Sequence, residues 1–344
     1  MFPAEMNALL LKGDGYARAP SGSALESMEP YAEYRRIGVP QPGQHQVLVN
    51  VAAASVNPSD VMFIKGQYGQ PRVQGRPAGF EGVGIVVASG GGHADALMGK
   101  RVAFATGTSN WGCWAEYALA DARACIEVTE PIADEDAAAL IVNPLTAIAM
   151  FGLVKAEGAK SFVLSAGASQ LCKLIMGLAR DEGYRAIALV RRDAQIPLLE
   201  QAGAAIVLNS EAADFKVRLR EVLAAEAPRI VLDAVTGPLA AQVFHAMGRK
   251  SRWVIYGRLD DSETVIREPG QLIFQGKKVE GFWLTEWMRA VPPETRAAAS
   301  LEAQKRFADG RWKTDVTAVI PLSEAMARLP EELAKPNGKV FLRP

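Results

Sequence analysis

Residues 161–192 read SFVLSAGASQLCKLIMGLARDEGYRAIALVRR, and this stretch decides the fold. Its first four residues, 161–164, form an apolar run too short for a helix and bounded by small or polar residues, which predicts a buried strand. Residues 165–170 are small and conformationally permissive, the composition of a tight strand-to-helix turn. Leu171, Leu174, Ile175 and Leu178 then recur at helical spacing. A second apolar run, 186–190, follows, with Arg191 and Arg192 at its end. Strand, helix and strand within about thirty residues is the size of a dinucleotide-binding unit. Such a turn sets backbone N–H groups and a helix N-terminus against a pyrophosphate.

The turn departs from the usual glycine pattern. Gly167 is present, but Gln170 and Cys172 stand where further glycines are expected. The end of the second strand is where an adenosine ribose is read. A carboxylate there suits a 2′-hydroxyl, whereas arginine accommodates a 2′-phosphate. Arg191 and Arg192 precede Asp193, so the expectation is NADPH, with NADH the less favoured cofactor. A solvated charge pair after a strand is the plainer alternative.

The bulk properties bound the reading. A chain of 344 residues exceeds one ordinary core and suggests two domains. With 49% hydrophobic and 22% charged residues it has a globular composition. The 38 basic and 38 acidic residues cancel, so no long-range field recruits nucleic acid or an anionic membrane. The N-terminal stretch lacks a basic leader and cleavage pattern, and no run approaches about eighteen apolar residues. Cys113, Cys125 and Cys172 make neither a metal-ligand spacing nor a disulfide framework. A reduced, cytoplasmic protein is expected.

Outward from the central stretch, residues 6–12, 46–53, 83–88, 100–105 and 115–120 read as short strands among frequent Gly and Pro. They predict a β-barrel-like domain up to about residue 130. Residues 134–154 then read as two helices hinged at Asn143-Pro144, since proline favours a first helical turn. Six strand candidates follow, at 162–164, 186–190, 205–208, 230–234, 253–256 and 279–284. With helical patterns between most of them, they predict a doubly wound parallel sheet. A long helix is expected over 293–309. The tail returns to strand, helix and strand and is expected to rejoin the first domain.

Several short segments carry a resemblance when taken together. They are NPSD (57–60), GQYG (66–69), GFEGVG (79–84), VNPLTA (142–147), VIYGRL (254–259), LIFQGKKVEGFWLTEW (272–287) and GKVFL (338–342). Through them the chain resembles the zinc-independent branch of the medium-chain dehydrogenase/reductase superfamily. Within it, the chain is most similar to the NADPH-dependent enoyl thioester reductases, with the quinone oxidoreductases next. The resemblance implies an α/β fold: a GroES-like β-barrel catalytic domain (1–142 and 310–344) and a doubly wound Rossmann cofactor domain (143–309). It also implies a homodimer joined through the sheet edge of the cofactor domain, acting on a small-molecule substrate.

Site residues follow from matching those segments. Tyr68 lies in a Gly-flanked loop, where a phenolic O–H can bond a carbonyl oxygen and deliver a proton. The resemblance makes it the general acid; a half-exposed loop tyrosine is the bland alternative. Asn143 is chemically suited to cap a helix, and the resemblance also places it beside the cofactor. Ala168, Ser169, Gln170 and Leu171 match the pyrophosphate turn. Tyr256 and Gly257, ending the fifth strand, and Phe282, Trp283 and Leu284, ending the sixth, are implied to line the nicotinamide. Lys339 either reaches the cofactor from the returning tail or is a solvated surface lysine.

Zinc-dependent relatives bring a cysteine near the position of Ser59 and a histidine before the glutamate of the GFEG segment. Here Ser59 and Phe80 stand instead, the four-cysteine structural lobe is missing, and His45, His93 and His245 are scattered. No zinc is expected, and Glu81 reads as a structural remnant. Without a metal, position and hydrogen bonds must do the activation. That favours hydride delivery to a double bond conjugated to a carbonyl, in a 2-enoyl thioester or a quinone. A quinone oxidoreductase without thioester activity and a non-catalytic nucleotide-binding redox sensor are the alternatives.

Overall fold

The computed structural model describes residues 2–18, 22, 24–107, 111–335 and 338–344. They divide into two compact units, Met1–Val142 with Ser300–Pro344 and Asn143–Ala299.

The first unit is built from strands. β1 (Glu5–Leu11) pairs antiparallel with β2 (Ala32–Gly38). β3 (Gln46–Val56) is the organising strand, and the helix α1 (Pro58–Ile64) follows it after one residue. β4 (Glu81–Ser89), β5 (Arg101–Ala105), β6 (Tyr117–Asp121) and β7 (Cys125–Glu127) complete the run, and a single-turn helix, α2 (Asp134–Ala138), ends it. β3 pairs antiparallel with both β4 and β6, and β5 joins β4 to β7. Val47, Leu48, Val49, Ala53 and Ala54 of β3 are consequently fully buried. Each valine or leucine so buried contributes roughly 1.5–3 kcal/mol of transfer free energy. β2 was not readable in the sequence, because AEYRRIG leaves most of its side chains in solvent and lacks an apolar face.

The second unit is the parallel sheet. It begins with α3 (Val142–Ala156). Then come β8 (Ser161–Leu164), α4 (Gln170–Asp181), β9 (Arg185–Val190), α5 (Ile196–Ala202), β10 (Ala204–Asn209) and α6 (Phe215–Glu226). β11 (Ile230–Asp233), α7 (Gly237–Ala246), β12 (Arg252–Ile255), α8 (Pro269–Gln275), β13 (Lys278–Gly281) and α9 (Leu284–Ala290) close it. The strand order is β10-β9-β8-β11-β12-β13, all parallel. In chain order that is 3-2-1-4-5-6, the doubly wound arrangement, so the order reverses beside β8. Leu171, Leu174, Ile175 and Leu178 of α4 are buried as their spacing requires.

Two boundaries differ from the sequence reading. The expected hinge at Asn143-Pro144 lies instead at residues 139–141, and Asn143 is the second residue of α3 rather than its cap. Proline is tolerated throughout a first turn, whose N–H groups lack helical partners, so Pro144 did not fix the start. The sixth strand ends at Gly281, not at 284, and Leu284 already opens α9.

The helix α10 (Pro293–Ala308) carries the chain across the boundary at Ser300. β14 (Val316–Pro321), α11 (Ala325–Ala334) and β15 (Lys339–Arg343) complete the first unit. β15 pairs antiparallel with β3 through Val340, Phe341 and Leu342, so the end of the chain sits inside the first sheet.

Candidate active site

In the first unit, Tyr68 lies four residues beyond the end of α1, in a loop, half-buried. Its ring centroid is 5.1 Å from that of Phe80, which in turn is 4.9 Å from Phe63 of α1. Tilted aromatic contacts of this kind orient a ring beyond what area burial alone does. A small crevice lined by Phe63, Gln70, Gly79, Phe80, Thr106 and Trp111 opens in the same region. Phe80 is part of the wall of that crevice and also the ring against which Tyr68 packs, and a phenolic O–H can donate to an oxygen.

Behind Phe80 lies a buried polar cluster that the sequence reading did not assemble. Lys339, first residue of β15, is only 4% exposed. Its Nζ donates to Asn57 Oδ1 and lies 3.7 Å from Glu81 Oε1. Glu81 Oε1 also accepts from Ser55 Oγ at 2.6 Å and Asn57 Nδ2 at 2.9 Å. Glu81 Oε2 accepts from the amides of Ile141 and Val142 at 3.1 and 2.8 Å. Asp60, fully buried, accepts from the amides of Asn57 and Phe80, both at 2.8 Å. Burial lifts the Asp60 carboxyl to about 7, with the Glu81 charge adding to the rise and its two backbone hydrogen bonds and Lys339 opposing it. Burial likewise lowers the Lys339 ammonium, against the pull of Glu81 and Asp60. Lys339 is thus no surface lysine: its ammonium is engaged inside this unit. The one sequence signal for the cluster was NPSD itself, where a carboxylate three residues after Asn can bond back to the Asn amide.

In the second unit the turn after β8 fits a dinucleotide despite its missing glycines. A Cβ on Gly167 would lie 3.0 Å from both Ala188 Cβ and Leu189 O, so the close approach of turn and strand leaves little room for a side chain there. Ala166 takes the left-handed conformation, φ 48°. Ser169 caps α4, its Oγ accepting from the Cys172 amide at 3.3 Å. Cys172 fills the glycine position as a small buried side chain whose thiol donates to Ser165 O at 3.3 Å. Ala168, Ser169, Gln170 and Leu171 are therefore gathered at the positive end of a twelve-residue helix.

The other sequence-assigned residues lie at strand ends of the same sheet. Arg191 and Arg192 follow β9 and are exposed. The Arg191 charge helps lower the Asp260 carboxyl, after the hydrogen bonds Asp260 accepts from Ser262. Tyr256 and Gly257 follow β12, and the Tyr256 hydroxyl is 3.5 Å from Cys172 Sγ. Burial beside Cys172 pushes the Tyr256 phenol well above its ordinary value. Phe282, Trp283 and Leu284 follow β13, with the Phe282 amide donating to Ile255 O at 2.8 Å. Asn143 is half-buried in the first turn of α3.

One carboxylate missed in the sequence organises this end of the sheet. Asp233, ending β11, is buried and accepts from Ser165 Oγ, from Trp253 Nε1 at 2.8 Å, and from the amides of Val235 and Thr236 at 2.9 and 3.0 Å. It thereby holds Thr236 at φ 67°, a strained conformation for a β-branched residue. A cavity of about 390 Å³ in the same unit is lined by Ser210, Glu211, Phe215, Lys216, Leu239 and Gln242. The turn at the head of α4 and the exposed Arg191 and Arg192 are groups of the kind that suit a phosphorylated dinucleotide.

Among the described residues no three His, Cys, Asp or Glu side chains gather as a metal site. Ser59 Oγ is buried without a hydrogen-bond partner. No helix among them is long and apolar enough to cross a membrane.

Comparison with known proteins matches the family described as alcohol dehydrogenase GroES-like domain to residues 43–130, and zinc-binding dehydrogenase to residues 171–301. The crystal structure of a putative NADPH:quinone reductase from Mesorhizobium loti is similar over the whole of both chains, at 67% identity and TM-score 0.97. The mitochondrial enoyl-[acyl-carrier-protein] reductase of Bos taurus is 27% identical over 350 residues, 95% of this chain and 92% of that one. A mycobacterial protein solved in complex with NADPH shares the fold, with TM-score 0.80 and 24% identity over 98% of this chain and all of that one.

Proposed function

The chain belongs to the medium-chain dehydrogenase/reductase superfamily, and from that premise we propose that it is a zinc-independent, NADPH-dependent reductase of activated carbonyl compounds. The substrate is a double bond conjugated to a carbonyl, in a 2-enoyl thioester or a quinone. The second unit holds the dinucleotide: the Ala168–Leu171 turn takes the pyrophosphate, and Arg191 and Arg192 take the 2′-phosphate by charge-assisted hydrogen bonds. Asn143, Tyr256, Gly257, Phe282, Trp283 and Leu284 are the residues proposed around the nicotinamide. When bound, NADPH supplies hydride to the electron-poor β-carbon of the substrate.

The first unit supplies the acid. Tyr68 donates a hydrogen bond to the substrate oxygen as negative charge grows there, and its hydroxyl proton is available to the product. The observation that carries this reading is the setting of Tyr68, a half-buried phenol braced by Phe80, whose ring belongs to the wall of an aromatic-lined crevice. Ser59 and Phe80, where zinc ligands would stand, offer none of the usual metal-binding groups, which supports a metal-free mechanism. The 67% identity to a putative NADPH:quinone reductase favours quinones as the first substrates to try.

A homodimer through the β13 edge is part of the proposal, supported by Ile273 and Phe274 of α8, which are 72% and 75% exposed. A reduced, cytoplasmic setting completes it. Fluorescence titration with NADPH and NADH, followed by rates on crotonyl-CoA, trans-2-hexenoyl-CoA, a naphthoquinone and phenanthrenequinone, tests the reading. NADPH preference with turnover of one class upholds it; NADPH binding without any turnover overturns it. Size-exclusion chromatography with light scattering tests the dimer.

A further inference from the structure

We propose that Asp60 is the residue that positions Tyr68, by tying the helix that leads into its loop to the segment whose Phe80 ring braces it. The proposal rests on the reading of Tyr68 as the proton donor. One carboxylate oxygen of Asp60 accepts from the Asn57 amide and so fixes the start of α1, the helix that leads into the Tyr68 loop. The other accepts from the Phe80 amide and so fixes the residue whose ring braces Tyr68. Phe63, from the same helix, packs on the opposite segment through Phe80. The two segments are twenty residues apart in sequence, and this carboxylate bridges them directly.

The charges facing Asp60 are Glu81 on β4 and Lys339 on β15, with the Cys113 thiol also buried alongside. Two carboxylates share one ammonium. Ionised Asp60 offers a charged acceptor oxygen to each amide; protonation removes the charge and leaves one of the two amides with a hydroxyl oxygen, a weaker acceptor. The bracing of Tyr68 is therefore strongest when Asp60 is charged.

Asp60→Asn tests this in the full-length enzyme, with NADPH and the best substrate of the panel. Its amide keeps the shape of the carboxyl but presents an NH₂ to one backbone N–H. The expected result is a fall in kcat of roughly 10–100-fold, the scale of a small misplacement of a catalytic group. The Kd for NADPH should stay unchanged. In a Tyr68→Phe background, Asp60→Asn should have no further effect on kcat. In the wild type kcat should rise with pH through about 7, where Asp60 loses its proton, and Asp60→Asn should abolish that limb. Phe80→Leu, which keeps the Asp60 bond and removes the ring, tests the brace itself; if Asp60→Asn does not fold, the pH limb of the wild type, expected to be lost in Tyr68→Phe, carries the test of Asp60. A kcat that either folded variant leaves unchanged, or lowers by the same factor with and without Tyr68, overturns the proposal. If Tyr68→Phe alone changes nothing, it is the underlying reading that falls.

Discussion

Lys339 Nζ lies 3.7 Å from Glu81 Oε1, with the two side chains 4% and 1% exposed. The last strand of the chain is thereby joined electrostatically to β4, in addition to its hydrogen bonds with β3. Replacing one member of a buried ion pair leaves the other charged and unsolvated, which costs about 3–5 kcal/mol. Lys339→Met is therefore expected to destabilise the protein by about that amount, read as a shift in the urea unfolding midpoint. Glu81→Gln added to Lys339→Met should recover part of the loss. An unaltered midpoint in the single variant would show that the pair carries no stability.

Tyr68→Phe removes a hydroxyl and leaves the ring against Phe80. General acids of this type contribute about 10²–10⁴-fold. The expected result is a fall in kcat/KM of that order for conjugated substrates, with NADPH affinity and thermal unfolding unchanged. A variant as active as the wild type on every substrate would remove Tyr68 from the mechanism.

Those two predictions also mark what the sequence disclosed. The strand–turn–helix unit was legible because period, turn composition and strand length agreed over residues 161–192, and Ser169 caps α4 where the turn was expected. The parallel sheet was legible for the same reason, most of its strands being short apolar runs between helical patterns; the sixth, KVEG, is not, and its end was misplaced. Strand β2 was not, since a solvent-facing strand with charged residues has no apolar signature. Nor was the Lys339–Asn57–Glu81–Asp60 cluster. Its members are separated by up to 282 residues, and a buried lysine looks in sequence like any surface lysine. Asp233 was missed likewise, because only the folded loop shows the four donors that converge on it. Local physics is written along the chain, whereas compensation of buried charge depends on which strands become neighbours.

Arg191→Ala bears on cofactor choice. Loss of one charge-assisted contact to a phosphate is worth about 1.5–3 kcal/mol, or roughly 10–100-fold in Kd. NADPH should bind that much more weakly while NADH, which lacks the 2′-phosphate, is unaffected. Fluorescence titration of both cofactors checks it. Equal weakening of the two would mean that Arg191 acts on the fold of the β9 end and not on the phosphate.

The pH dependence of stability turns on Asp60, whose carboxyl is raised from 3.8 to about 7 by burial. Between those values the folded protein holds a proton that the unfolded chain has released. Folding is then linked to proton uptake, so this group's contribution is fully present below about 3.8 and is lost as pH rises through about 7. At 1.36 kcal/mol per unit the loss amounts to at most about 4 kcal/mol. Urea midpoints of the wild type should accordingly fall between pH 5 and 8 relative to those of Asp60→Asn, which carries no titrating group at this position. The same protonation that favours folding weakens the hydrogen bonds Asp60 accepts from the Asn57 and Phe80 amides, so the pH range of greatest stability should lie below that of greatest activity. Parallel wild-type and variant midpoints across this range would mean that Asp60 is ionised throughout, with Lys339 fully offsetting the cost of its burial.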